Sequence, residues 1–271
     1  MNKLGVSIRL NKLLAHQGWC SRREANRFIE QGLVKVNGVV SRDARVAPTD
    51  TVELLPQAVT VQAQQKTILV HKPVGYVSSQ PETDSIPVAV QLLTADRQYQ
   101  NAHRREQEQA SSRRLFHPRT QLGWATAGRL DINSTGLLVL TQSGRVAKTL
   151  IGPDVRVDKE YLVRVRPSPF FDRNQSTAAV LERLRDGIRD AGELLHAVSV
   201  ERVNTDQLRF VLHEGKHRHI RRMCRAVGLE VDGLKRVRIG EIVLGNLPVG
   251  QWRYLAPHES FVPTVESIGP Q

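Results

Sequence analysis

The segment GRLDINSTG, residues 128–136, contains the residue types best suited to chemistry. Two glycines bracket Asp131, and the segment leads directly into the apolar run GLLVLT at 136–141. An aspartate in a turn commonly has only the structural role of accepting backbone hydrogen bonds. A loop carried by a rigid buried strand is, however, also a usual place for a catalytic carboxylate. Arg129, two residues before the aspartate, favours the catalytic interpretation.

A second segment, residues 213–228, combines histidines with a series of arginines. Its apolar residues recur at i, i+3, i+4 and i+7, which predicts an amphipathic helix over 217–227. Another face of this helix has arginines at the same spacing, and phosphates would relieve their mutual repulsion. A solvated helix face is the alternative. We expect nucleic-acid contacts from Arg218, Arg221, Arg222 and Arg225.

The histidines of this segment also raise the question of a zinc site. The spacing of His213, His217, His219 and Cys224 fits no standard zinc motif, and Cys20 is the only other cysteine. The chain contains no Walker A sequence, no GxGxxG fingerprint and no GxSxG nucleophile motif. We therefore expect no metal and no nucleotide cofactor, and any chemistry is left to Asp, Arg, Lys and Tyr.

The charge balance predicts a polyanionic partner. The 271 residues include 39 Lys and Arg against 27 Asp and Glu, for a net charge of +12. Such an excess is typical of proteins that bind nucleic acid or an anionic membrane surface. No run of about 18 apolar residues occurs, which argues against a transmembrane helix, and we expect no signal peptide. Because only two cysteines are present, we expect a cytoplasmic protein.

Two helices followed by a small sheet are predicted within residues 1–60, as an RNA-binding domain. Ser21 and Glu24 are spaced as a capping box at the start of the second helix. Asn37 and Gly38, between β-branched residues, predict a hairpin. The polar side of the second helix is basic, and the charge of the whole chain favours phosphate contacts over simple solvation. These contacts are assigned to Arg22, Arg23 and Arg27.

A larger domain is predicted over residues 67–258, after a linker at 61–66. Its strands and helices do not alternate strictly, which favours an α+β fold with a mixed, mainly antiparallel sheet and flanking helices. Residues 94–123 are predicted as an inserted basic loop that is disordered in the free protein, and its ordering on RNA is a hypothesis. Residues 259–271 are predicted as a loose tail.

Several segments in order resemble the pseudouridine synthases that act on ribosomal RNA. GRLD at 128–131, followed by STGLL, resembles the catalytic motif of that family. KPVG at 72–75, KEYLV at 159–163 and EGKHRHIRRM at 214–223 are similar to its other motifs. GWCSRREA and VNG near the N-terminus look like a small RNA-binding domain shared with a primary rRNA-binding protein of the small ribosomal subunit. Further segments resemble the F-type enzymes, which act on large-subunit RNA, with the B-type enzymes a close second.

The resemblance implies isomerisation of a uridine in ribosomal RNA, expected in the 23S RNA, to pseudouridine without cofactor or metal. It implies that Asp131 is the catalytic carboxylate, either as nucleophile or as base. Tyr161 is expected to pack against the target base, and Arg129 to hold the flipped-out conformation. Lys216 aligns with the basic residue that pairs with the aspartate, and Arg218 is its rival.

The expected partner is ribosomal RNA or an assembly intermediate of a ribosomal subunit, bound by a monomer. Lys72 is also assigned to RNA binding. The alternative function is a non-catalytic rRNA-binding or assembly factor, for which we would expect Asp131 or Tyr161 to be replaced. A basic DNA-binding protein is a third and weaker interpretation.

Overall fold

The computed structural model describes residues 7–43, 45–79, 85–99, 123–152, 156–172, 174 and 176–262. Residues 100–122, most of the predicted inserted loop, lie outside these ranges, as do residues 263–271 of the tail predicted over 259–271. The described chain is a mixture of helices and mainly antiparallel sheets, which confirms the α+β class. No helix in the described ranges combines the length and apolar composition that a membrane span requires.

The N-terminal part has three helices and two small sheets around one hydrophobic core. Asn37 and Gly38 both have positive φ, as the predicted hairpin requires. The capping box of Ser21 and Glu24 is formed. The helices are α1 (Leu10–His16), α2 (Arg22–Glu30) and α3 (Pro56–Ala63); the strands are β1 (Ile8–Arg9), β2 (Val34–Val36), β3 (Val39–Val40), β4 (Arg45–Val46) and β5 (Val52–Leu54).

Helix α3 includes half of the segment that the sequence predicts as a linker, 61–66. Pro56 occupies the first turn, where its missing N–H has no intrahelical partner to lose. Ala58 is fully buried in the same core as α1 and α2. Only residues 61–63 of the predicted linker lie in this helix, and the domain boundary stays a prediction.

The C-terminal part is built on a nine-stranded sheet with the order β12-β13-β9-β14-β8-β6-β16, to which β15 and β7 add at β14 and β8. All its neighbouring strands are antiparallel except β14 and β8. The strands are β6 (Thr67–Lys72), β7 (Ala125–Thr126), β8 (Thr135–Thr141), β9 (Lys159–Pro167), β12 (Ser199–Asn204), β13 (Gln207–Leu212), β14 (Leu229–Ile239), β15 (Ile242–Val243) and β16 (Trp252–Tyr254). A separate hairpin consists of β10 (Ile188–Asp190) and β11 (Glu193–Leu195).

Strand β8 lies at the centre of this part and is buried on both faces. Leu138 and Leu140 belong to one core cluster, and Leu137 and Val139 belong to another. Because successive side chains of a strand point to opposite faces, the unbroken apolar run at 136–141 indicates a covered sheet. The helices of this part are α4 (Gly144–Ile151), α5 (Thr177–Asp186) and α6 (His219–Ala226), with 3-10 turns at Ala89–Leu92 and Ala95–Arg97.

Candidate active site

Asp131 lies in a tight turn that leads into β8. The Ser134 N–H donates to the Asp131 carbonyl at 3.0 Å and closes the turn. The buried Ser78 hydroxyl accepts from the Leu130 N–H at 2.8 Å and donates to the Leu130 carbonyl at 2.7 Å. The backbone on both sides of Asp131 is therefore fixed, while 31% of its side chain stays exposed.

Arg221, from α6, is the cation that pairs with Asp131. Its Nε lies 4.0 Å from the Asp131 Oδ2, and its side chain is only 12% exposed. The two terminal nitrogens donate to the carbonyls of Val231 at 3.0 Å and Asn133 at 2.8 Å. Burial lowers the pKa of Arg221, an effect that Asp131 opposes. Since two carbonyls hold the guanidinium, this cation is positioned beside the carboxylate before any substrate arrives.

The two residues that the sequence proposed as partners of Asp131 have other surroundings. The Lys216 ammonium donates to the Leu194 carbonyl at 2.6 Å and pairs with Glu214 at 3.1 Å. Arg218 is exposed and has a left-handed backbone with φ of 51°. In the structure the ion pair of Asp131 is formed by Arg221, which the sequence had assigned to RNA contact. The motif identified the segment, but not the turn of helix that faces the aspartate.

Lys72, also predicted to contact RNA, has no exposed surface. Its ammonium donates to the carbonyls of Pro73 at 2.8 Å and Tyr76 at 2.7 Å. Burial lowers the pKa of Lys72 from 10.5 to about 8, and the nearby Asp131 carboxylate opposes this shift. Lys72 is therefore an interior cation near Asp131, and its RNA contact stays a prediction.

Arg236 connects the Asp131 turn with Tyr161. Its guanidinium donates to the carbonyls of Leu137 at 2.7 Å and Arg129 at 3.2 Å, and it lies 6.0 Å from the centre of the Tyr161 ring. Arg236 is 1% exposed, and its Nη2 has no hydrogen-bond partner among the described residues. The sequence indicated only a strand here. Because Lys235 and Arg238 lie on the same strand, no sequence signal singled out Arg236 as the buried cation.

Tyr161 and Arg129 are brought to the same region by these contacts. Tyr161 lies on β9 directly opposite Arg236 and is buried, with 7% of its surface exposed. The Arg129 side chain is exposed two residues before Asp131. Arg236 thus contacts two of the four predicted catalytic residues, through the Arg129 carbonyl and the Tyr161 ring, and Lys216 is not among its contacts in the described residues.

The remaining arginines of α6 differ in their surroundings: Arg222 pairs with acids, and Arg225 is exposed to solvent. Arg222 binds Asp190 at 2.5 Å and Glu193 at 2.6 Å, both on the β10–β11 hairpin. Hydrogen bonds from Arg222 lower the pKa of both carboxyls. Arg225 is 75% exposed, with Asp190 at 3.6 Å. Internal acids therefore already neutralise Arg222, and the RNA contacts of Arg222 and Arg225 both stay predictions.

The arginines predicted on α2 are all exposed, which agrees with their assignment without testing it: Arg22, Arg23 and Arg27. Within the described residues, no group of three or more His, Cys, Asp or Glu side chains could hold a metal ion.

Comparison with known families relates both parts of the chain to RNA modification. A family model described as RNA pseudouridylate synthase matches residues 66–226, and a model described as the S4 domain matches residues 8–50. An uncharacterized RNA pseudouridine synthase of Aquifex aeolicus is 31% identical over 254 residues, which cover 93% of this chain and 94% of that protein. The dual-specificity RNA pseudouridine synthase RluF of Escherichia coli O6:H1 is 32% identical over 93% of this chain and 77% of its own.

A solved structure agrees with the fold. The crystal structure of a pseudouridylate synthase matches with a TM-score of 0.56, covering 92% of this chain and 96% of that chain at 23% identity. At this identity the likeness concerns the architecture alone.

Proposed function

The chain belongs to the RNA pseudouridine synthase family, and we propose that it isomerises a specific uridine of large-subunit ribosomal RNA to pseudouridine. The RluF relative acts, by its name, on RNA as a pseudouridine synthase of dual specificity. The reaction breaks the bond from N1 to the ribose and forms one from C5 of the same uracil to the ribose. C5 loses a proton and N1 gains one, so no atom is gained or lost. Such an isomerisation needs neither a redox partner nor an energy-rich cofactor.

The reaction begins with a uridine that leaves its stack. Flipping a base out of folded RNA costs a few kcal/mol, which protein contacts must offset. The exposed Arg129 side chain, two residues before Asp131, is suited to occupy the vacated space or to bind the adjoining phosphate. We propose this role for Arg129.

We propose that the ionised carboxylate of Asp131 acts on the everted nucleotide, as nucleophile toward the ribose or as base. A cation within ~4–6 Å favours the ionised form of a carboxylate, and Arg221 lies at 4.0 Å. We assign Arg221, rather than Lys216, to this pairing. Tyr161 supplies an aromatic edge beside the uracil, held by its contact with Arg236.

One observation carries the proposal: a partly exposed carboxylate, fixed by backbone hydrogen bonds, faces an arginine that two carbonyls hold in place. A rigid carboxylate with a prepositioned cation is an arrangement for catalysis, because the charges need no reorganisation during the reaction.

The test is the variant Asp131→Asn, assayed for pseudouridine formation on large-subunit rRNA fragments and for RNA binding. We expect turnover to fall by at least a thousandfold and the dissociation constant for RNA to stay within about twofold. Asp158→Asn is the matched control, since Asp158 pairs with His213 and Arg238 instead. Normal turnover by Asp131→Asn would leave the alternative of an rRNA-binding or assembly factor.

Three finer points belong to the same proposal. We propose that the protein acts in the cytoplasm, as a monomer, on ribosomal RNA or on an assembly intermediate of the ribosome. Mapping pseudouridines in rRNA from cells with and without the protein identifies the target uridine, and the stage of assembly follows from sorting the modified RNA by particle size.

A further inference from the structure

Helix α4 extends from the N-terminal part of the molecule to the Asp131 turn. At its first residue, the Gly144 N–H donates to the Glu24 carboxylate at 3.2 Å. At its last residue, Ile151 approaches Gly128, where an added Cβ would lie 3.7 Å from the Ile151 side chain. Eight helical residues span about 12 Å. The helix is therefore a short bridge between the two regions.

One face of this bridge is basic. Arg145, Lys148 and Thr149 are exposed at i, i+3 and i+4, whereas Leu150 on the opposite side is fully buried. Neither cation forms an ion pair with an acid in the described part of the chain. Arg222 differs in this respect, because Asp190 and Glu193 neutralise it. The charge of the α4 face is thus available to an external anion.

Exposed cations also lie at the start of helix α2, which meets the start of α4. An added Cβ at Gly144 would come 2.1 Å from the Ser21 Cβ, so the two helices begin in direct contact. Arg22 and Arg23, the first residues of α2 after the cap, are both exposed. The positive charge of Arg145 also reaches Cys20, where it acts against the raised pKa of that thiol. Exposed cations thus follow one another from α2 across the junction to α4.

We propose that Arg145 and Lys148 bind the phosphate backbone of the RNA substrate, on a strand that passes from the N-terminal module to the Asp131 turn. The identity of the RNA rests on the proposed function. A helix of about 12 Å matches the axial rise of three to four stacked nucleotides, at ~3.4 Å each. The occupant is a nucleic-acid backbone because the face offers cations and a hydroxyl, with the aliphatic residues of α4 turned mostly inward.

This surface gives the RNA a defined approach to the carboxylate. Phosphate contacts fix register and orientation without reading sequence. Two such contacts next to the Asp131 turn would set how far along the strand the everted uridine lies from the segment held by α2. The contacts are therefore expected to affect the Michaelis constant for RNA rather than the maximal rate.

The experiment compares Arg145→Gln/Lys148→Gln with the unaltered chain on a large-subunit rRNA fragment, by fluorescence anisotropy over a series of salt concentrations. Each phosphate contact contributes about 0.7–0.9 to the slope of log affinity against log salt. We expect the slope to become shallower by about 1.4–1.8 and the dissociation constant to rise about tenfold near physiological salt. The Michaelis constant should rise in parallel.

The matched control is Arg164→Gln/Arg166→Gln, which removes the same charge from arginines that already pair with Asp206, Glu230 and Asp232. If the α4 variant changes affinity and slope no more than this control does, the proposal is overturned. A fall in maximal rate with unchanged binding also overturns it. Because binding is measured without turnover, a chain that forms no pseudouridine would refute the proposed function and leave this comparison intact.

Discussion

Arg221 and Arg222 are adjacent in the chain, yet they serve opposite sides of helix α6. Arg221 lies against Asp131, and its terminal nitrogens are held by carbonyls. Arg222 binds the acids of the β10–β11 hairpin. Consecutive helical residues point about 100° apart, so one position separates a residue beside the chemistry from a residue that fastens a neighbouring hairpin.

We expect Arg221→Met to lower the maximal rate of pseudouridine formation about a hundredfold, because the transition state loses a preorganised cation beside Asp131. Arg222→Met removes an equal charge one residue away and should lower it less than about threefold. Single-turnover kinetics at saturating RNA measure both rates. Equal losses in the two variants would contradict the assignment.

Lys72 makes the stability of the chain vary with pH in the alkaline range. Its pKa is lowered by burial from 10.5 to about 8. Below pH 8 the group is charged in both states, so the cost of burying the charge is fully present. Between about 8 and 10.5 the unfolded chain binds more protons than the folded chain, and stability therefore rises with pH.

The difference in unfolding free energy between the unaltered chain and Lys72→Met should shift by about 3 kcal/mol in favour of the unaltered chain over that window. Urea denaturation of both proteins below pH 8 and near pH 10.5 measures it. Taking the difference between the two proteins cancels the contribution of the cysteines, whose raised pKa values make stability fall as the pH rises. A difference that is constant with pH would contradict the prediction.

In the structure the Arg129 carbonyl and the Tyr161 ring both contact Arg236. The sequence proposed Asp131, Arg129 and Tyr161 through their motifs, and their catalytic roles stay predictions. It did not identify the pairing of Asp131 with Arg221 or the burial of Lys72. Periodicity shows which residues share a face of one element. It contains no information on which turn of α6 meets a loop some ninety residues earlier in the chain.

At the scale of elements, the single parallel pairing of the large sheet depends on one glycine. Gly136 is opposite Arg236 where β8 meets β14. Its φ is +114°, and an added Cβ would lie 2.2 Å from the Arg236 carbonyl oxygen. Only glycine allows the two strands to approach while Arg236 remains in contact with the Asp131 turn.

We expect Gly136→Ala to destabilise the chain by more than about 4 kcal/mol, because strained backbone and a backbone clash coincide. Gly215→Ala is the control, since no atom lies within 4 Å of its added Cβ. Urea denaturation gives both free energies of unfolding. A loss below about 1 kcal/mol in Gly136→Ala would show that the strands can separate freely.

Three elements were predictable because each has a local sequence pattern that agrees with its structure. They are the strand at 136–141, the hairpin at 37–38 and the helix at 217–227. Helix α3 was not predictable from such a pattern, because valines occupy exposed positions and the helix is not amphipathic. Its place is decided by the burial of Ala58 in a core formed by α1 and α2, a contact that composition alone does not reveal.

At the scale of the whole molecule, Glu24 holds the two parts together. This buried carboxylate accepts from the Ser21 N–H within its own helix and from the Gly144 N–H of the other part. The Gln65 side chain also donates to it. The residue that caps α2 therefore also fixes the bridge α4 on which the proposed RNA path depends.

We expect Glu24→Ala to lower the free energy of unfolding by about 1–3 kcal/mol, since the Ser21 and Gly144 N–H groups then lose the carboxylate oxygen that accepts from both of them. The two parts should then unfold in separate calorimetric transitions. Glu30→Ala, exposed on the same helix, should leave a single transition at nearly the same temperature. Identical scans for both variants would contradict a joining role for Glu24.

The distance between these partners along the chain has a consequence for biosynthesis. Gly144 follows Glu24 by 120 positions, and at about 5–20 residues per second a ribosome takes roughly 6–24 seconds to make that length. The core around α1, α2 and α3 is complete well before then. In a nascent chain, the proposed RNA-binding module is thus complete while the segment that would act on uridine is still being translated.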